Sequence, residues 1–125
     1  MRKKNKPTES ELAVLQILWE KGPSSVRTVN DKLNQHREVG YTTTLKIMQI
    51  MAEKGLCTRN TESRTHIYIP VIPEDEVKSS LVNSFVDSLF KGSTAKLVLQ
   101  ALGNSKATQE ELDEIKSLIQ KIENK

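Results

Sequence analysis

At 125 residues, 36% apolar and 28% charged, the chain has room for one compact domain or two small ones, made of helices with a solvated face. No stretch approaches the roughly 18 apolar residues of a membrane span; the single cysteine, Cys57, excludes an intrachain disulfide and, with two histidines, speaks against an all-protein zinc site. The net charge of +3 is unevenly spread: residues 1–70 carry 12 Lys and Arg against 7 Asp and Glu (+5) and residues 71–125 carry 7 against 9 (−2), so the first half is the candidate for a polyanion.

The opening MRKKNKPTE is a basic arm without the apolar core of a secretory signal, which points to a cytoplasmic protein. Thr8-Glu9-Ser10-Glu11 then reads as a capping box, in which Thr8 accepts from the Glu11 N–H and the Glu11 carboxylate reaches back. Leu12, Leu15, Ile17, Leu18 and Trp19 form an apolar stripe, and the helix stops at Lys21-Gly22-Pro23. Ser24 or Ser25 caps a short second helix with Val26, Val29 and Leu33 inward, and Gln35 to Gly40 reads as a turn.

The third helix is expected from about Thr42 to Lys54, ending at Gly55. At about 100° per residue, Leu45, Ile47, Met48, Met51 and Ala52 share one arc, while Thr42, Thr43, Lys46, Gln49, Glu53 and Lys54 share the other. Ile50 falls on the polar side, where it suits either a thymine methyl group or an adjacent loop. Leu56 to Asn60 and His66 to Ile69 read as a strand pair around the loop Thr61-Glu62-Ser63-Arg64-Thr65, with Pro70 ending the pairing. Three helices and a two-stranded hairpin make a winged helix-turn-helix domain, residues 1–72.

Residues 73–125 have a different character. Glu74-Asp75-Glu76 after Pro73 suit a helix's first turn, and Val77, Leu81, Val82, Phe85, Val86, Leu89 and Phe90 follow at helical spacing. Lys91-Gly92-Ser93-Thr94 breaks that helix; a short one follows from about Ala95 to Leu102, with Leu97 inside it, and ends at Gly103-Asn104. Thr108-Gln109-Glu110-Glu111 is a second capping box, opening a last helix with Leu112, Ile115, Leu118, Ile119 and Ile122 on one side. Three helices so rich in apolar residues do not easily bury their stripes alone, and a symmetric dimer is the commonest solution. Val77, Leu81, Phe85, Leu89, Phe90, Leu97, Leu112, Ile115 and Ile119 are the candidate dimer residues. The fold class is thus mainly α: a winged helix followed by a three-helix dimerisation domain.

Chemistry is hard to find. The chain lacks a Ser/His/Asp or Cys/His set and a glycine-rich phosphate loop, and Cys57 at a strand start reads as a packed hydrophobe rather than a nucleophile. His66 in the second wing strand reads as a surface or cross-strand residue, and His36, in the turn before the third helix, as a solvated turn residue that could approach a phosphate. No cofactor or metal is called for. A DNA reading, by contrast, gives each element a task. Thr42, Thr43, Lys46 and Gln49 face outward on the helix that enters a major groove, and Ser24, Ser25 and Arg27 at the second helix's N-terminus suit a phosphate. Arg59 and Arg64 on the wing would grip the backbone farther out.

The stretches SELAVLQILWEKGPSSVRTVNDKL, YTTTLKIMQIMAEKGLCTR, HIYIPVIP and FKGSTAKLVLQALGNSKATQEELDEIKSLI together resemble the penicillinase repressors, the BlaI/MecI/CopY family of bacterial transcriptional regulators. Within the second stretch the matching positions are Thr43, Thr44, Met51, Lys54, Gly55 and Leu56, which adds Thr44 to the candidate DNA residues. The resemblance implies a homodimer that represses transcription, including that of antibiotic-resistance genes, by occupying a palindromic operator in double-stranded DNA. In repressors released by a β-lactam-sensing membrane metalloprotease, the cut falls at an Asn-Phe bond in the short middle helix of the dimerisation domain. Here Gln100-Ala101 stands in that place, which leaves the cut site and the releasing signal open. The copper-responsive branch carries a cysteine cluster in its tail, whereas residues 58–125 contain no cysteine. The competing reading is a winged-helix protein-interaction module without sequence-specific DNA binding; an enzyme built on a reactive Cys57 ranks third.

Overall fold

A computed structural model describes residues 6–125, and most of the expected basic arm lies outside them. The element order is α1 (Glu9–Lys21), β1 (Ser24–Ser25), α2 (Val26–Leu33), α3 (Tyr41–Lys54), β2 (Cys57–Asn60), β3 (Ile67–Pro70), α4 (Glu74–Leu89), α5 (Thr94–Gly103) and α6 (Gln109–Glu123). Contacts divide the chain into two compact units, one up to Ser79 and one from Ser80 onward, so the division falls inside α4.

In the first unit, α1 starts at the expected capping box: Thr8 N–H donates to Glu11 Oε1 at 2.9 Å and Glu11 N–H to Thr8 Oγ1 at 3.1 Å. That geometry satisfies two of the donors a helix start leaves open. Glu11 Oε1 also accepts from Lys54 Nζ at 2.7 Å, so the start of α1 is tied to the end of α3 by a partly buried ion pair. Gly55 follows α3 at φ 85°, the left-handed conformation that glycine adopts without strain. Val14, Leu15, Leu18, Val29, Met48, Met51 and Leu56 are fully buried and, with Ile17, Val26 and Leu33, make the core. Val14 belongs to the α1 stripe beside the residues expected there; Leu12 and Trp19 sit at its half-buried margin.

The sheet has three strands rather than two, in the order β1-β3-β2 and antiparallel throughout. The serines before α2 divide the work: Ser24 pairs with Tyr68, whereas Ser25 pairs with Ile67 and caps α2 by accepting from Thr28 N–H. Pro70 does not end the pairing. It stands opposite Cys57, and the ladder side continues through Val71 N–H to the Leu56 carbonyl at 3.1 Å. A proline is tolerated there because it lies past the end of β1, where β3 needs no further donor on that side. Tyr68, in the central strand, is fully buried, and Ile67 and Ile69 are half-buried. Trp19 Nε1 donates to the Ile72 carbonyl at 3.0 Å, fixing the segment that leads into α4.

In the second unit, Lys91 and Gly92 both take positive φ (51° and 82°) and turn the chain between α4 and α5. Ser93 caps α5, and the Thr108/Glu111 box opens α6 with bonds of 2.9 and 3.1 Å. Packing here is sparse: Val86 is the one apolar residue of this unit in the core set, while Leu99 is 70% and Leu89 67% exposed.

Candidate nucleic-acid interface

The site is assembled on the first unit by α2, α3 and the wing. α3 buries Met48 and Met51 and leaves Tyr41, Thr42, Thr43, Lys46 and Gln49 exposed on the opposite side. Its start is Gly40, which supplies no side-chain cap, and its first turn holds no acidic residue. The free N–H groups there therefore face solvent without a competing carboxylate, an arrangement favourable to a phosphate. Ile50 is exposed at 37%, on the polar side as the periodicity places it.

Thr44 is a correction. It is fully buried, and its Oγ1 lies 2.6 Å from the Asn30 carboxamide on α2. One step round the helix from Thr43, it faces the neighbouring helix, so it braces α3 and does not reach a groove.

Ser25 is half-buried at the N-terminus of α2, its hydroxyl accepting from Thr28 N–H at 3.2 Å and donating to Thr28 Oγ1 at 3.1 Å. Beside it the exposed Arg27 guanidinium stands 5.5 Å above the centroid of the Tyr41 ring. A cation at that distance is attracted by the ring face, which restrains a long side chain otherwise costly to order. Tyr41 was missed from the sequence because its value lies in a partner on another helix; its aromatic ring at the first position of α3 was the available signal. An open hollow of about 730 Å³ lies between this end of α2 and the wing, its lining including Glu20, Lys21, Ser24, Ser25, Thr28 and Thr65.

Arg59 on β2 and Arg64 in the wing loop are exposed. The loop itself is shaped by Glu62 N–H donating to Asn60 Oδ1 at 2.9 Å and Ser63 Oγ donating to the Thr65 carbonyl at 2.7 Å. Arg59 thus precedes this ordered tip on β2, and Arg64 lies within it. His36 and His66 are exposed, and no group of three His, Cys, Asp or Glu among the described residues could hold a metal ion. Cys57 is buried, and burial pushes its thiol up to about 11, away from thiolate chemistry.

The candidate dimer residues of the second half fall into three groups. Phe85, Leu89 and Ile119 are exposed; Leu81, Phe90, Leu97, Leu112 and Ile115 are half-buried. Val77 is a correction, since it is 5% exposed in the single chain and has little surface to offer a second one. Val82, Val98, Leu99, Leu118 and Ile122 are exposed apolar residues that the candidate set omitted. Gln100 and Ala101 are exposed within α5. Among the described residues, no helix is long and apolar enough to cross a membrane.

Comparison with known proteins agrees with this geometry. The penicillinase repressor family model matches residues 7–121. The transcriptional regulator BlaI of Mycobacterium tuberculosis is 34% identical over 90 residues, covering 71% of this chain and 63% of that protein. A penicillinase repressor of Staphylococcus aureus is 24% identical over 97% of this chain and 98% of its own length, and the methicillin resistance regulatory protein MecI of Mammaliicoccus sciuri is 21% identical over 91% and 93%. In three dimensions, the solution structure of the DNA-binding domain of the repressor BlaI superposes with a TM-score of 0.53 at 22% identity, covering 61% of this chain and 93% of that one. With a winged helix on its first unit and a family match spanning both, the chain belongs to the penicillinase repressor family.

Proposed function

We propose that this chain is a transcriptional repressor, not an enzyme, that acts as a homodimer on a palindromic operator in double-stranded DNA. The carrying observation is the exposed face of α3, which presents Thr42, Thr43, Lys46 and Gln49 to solvent and begins at Tyr41, under Arg27 of α2. In this reading the N-terminal half of α3 enters the major groove, where threonines and Gln49 meet base edges and Lys46 reaches guanine or phosphate. Ile50 contacts a thymine methyl group or the loop beside it. Ser25 and Arg27 hold one stretch of backbone, and Arg59 and Arg64 hold another.

The second half supplies the pairing of two such domains. Each half-site contributes weakly, and linkage raises the total through effective concentration. A signal that parts the two chains therefore releases DNA without touching α3. A membrane sensor metalloprotease acting on the second half is one such signal. A cut at Gln100-Ala101 would require α5 to unwind locally first, because a protease takes extended chain.

The test is a gel shift with the protein's own upstream region at several salt concentrations. A retarded band at low salt is expected, and its absence overturns the repressor reading. In the same assay Lys46→Ala weakens binding by about 1–3 kcal/mol on the operator alone if Lys46 reads a base. If it holds only phosphate, all sequences weaken alike and the salt slope falls by about one.

A further inference from the structure

α1, α2, α5 and α6 are each capped by their own N-terminal hydroxyl residue (Thr8, Ser25, Ser93 and Thr108), but α3 begins at Gly40 and is not. Its start is held from α2 instead. The Asn34 carboxamide engages both backbone groups of Val39: Nδ2 donates to the carbonyl at 2.9 Å, and Oδ1 accepts from the N–H at 3.0 Å. The same Nδ2 donates to the Asn30 carbonyl at 2.7 Å, which fastens the amide to its own helix.

One turn earlier, and so on the same face of α2, Asn30 reaches the buried Thr44 Oγ1 at 2.6 Å. With its nitrogen toward the surrounding oxygens, this second amide also lies 3.1 Å from the Val39 carbonyl and 3.2 Å from the Gly40 carbonyl. Carbonyls only accept, so that orientation is the one the surroundings select. Two amides thus grip the turn and the first turn of α3 from a single side.

Apolar packing sets the crossing of two helices by shape and carries little directional preference of its own. Hydrogen bonds add that direction. We propose that Asn30 and Asn34 are positioning residues for base reading: their amides set the rotation of α3, and so the direction in which Thr42, Thr43 and Lys46 point. This rests on α3 being the groove helix. Neither asparagine needs to touch DNA.

The experiment uses the full chain to select a duplex from a random pool, then compares that duplex with a scrambled one by fluorescence anisotropy across salt. Asn34→Ala and Asn34→Asp should each lose about tenfold on the selected duplex, as for one misplaced base contact. On the scrambled duplex Asn34→Ala should stay within about twofold with an unchanged salt slope, because no phosphate contact is lost and no charge is added. Asn34→Asp keeps the acceptor for Val39 N–H and loses both donated bonds, so it shows whether the carbonyl grip carries the effect. Equal losses on both duplexes, or none on either, overturn the latch while leaving DNA reading intact. A wild-type chain that selects no duplex overturns the DNA reading itself, and this inference falls with it.

Discussion

At the scale of single residues, the division between chemistry and packing is set by burial. Cys57 opposes Pro70 at the base of the wing and is 1% exposed. Its thiol stays neutral in the fold up to about 11, against 9.0 for a free thiol. Because the folded value is the raised one, the contribution is present below 9.0 and is lost as pH climbs to about 11, where the unfolded thiol ionises first. Urea titrations across that interval should show the first unit losing on the order of 2 kcal/mol more than a Cys57→Val variant loses. Equal pH dependence in the two proteins would mean the thiol is not desolvated. Thr44 teaches the same lesson with a polar side chain. A helical projection gives its angle on α3, but which angle faces α2 is decided by the turn between them.

At the scale of elements, helix starts were the most legible part of the sequence, since a capping box is closed by residues three apart. Thr8/Glu11 and Thr108/Glu111 both form as read, and the pair invites a comparison. Glu111→Ala removes the carboxylate half of its box, leaves the Thr108 cap in place, and should cost the unit that holds it about 0.5–1 kcal/mol. Glu11→Ala also strips Lys54 of its carboxylate, leaving it the Lys6 carbonyl at 3.4 Å, and should cost about 2–3 kcal/mol, because the bond lost is charge-assisted and partly buried. Chemical denaturation measures both, and matching losses would show the ion pair to be idle. The strands were less legible. β1 is two serines with no strand-like composition, and it exists because β3, far along the chain, offers Tyr68 and Ile67 as partners. Pro70 misled for a related reason: whether a proline ends a ladder depends on which side lacks a neighbour. Of the proposed interface, the exposed threonines, Lys46 and Gln49 follow from periodicity and the wing arginines from the hairpin pattern. Tyr41 and the two asparagines do not, because each acts through a residue on another helix or in the turn between them.

At the scale of the whole molecule, the two units differ in self-sufficiency. The first closes a core around Leu15, Leu18, Met48 and Tyr68. The second leaves Phe85 52%, Leu99 70% and Ile122 62% exposed. If a second copy covers that surface, Leu99→Glu combined with Ile119→Glu should yield monomers in sedimentation experiments. Operator affinity should then fall by roughly 100-fold or more through lost linkage, with α3 unaltered. A double variant that still sediments as a dimer would place the pairing surface elsewhere.

The Trp19 bond to the Ile72 carbonyl has a practical consequence. Trp19 is the chain's single indole, so all tryptophan fluorescence originates where α1 meets the lead-in to α4. The molecule carries its own optical gauge of that junction: if the lead-in peels away, the indole exchanges a carbonyl for water and its emission moves. Any change at that junction can be followed in the unlabelled protein.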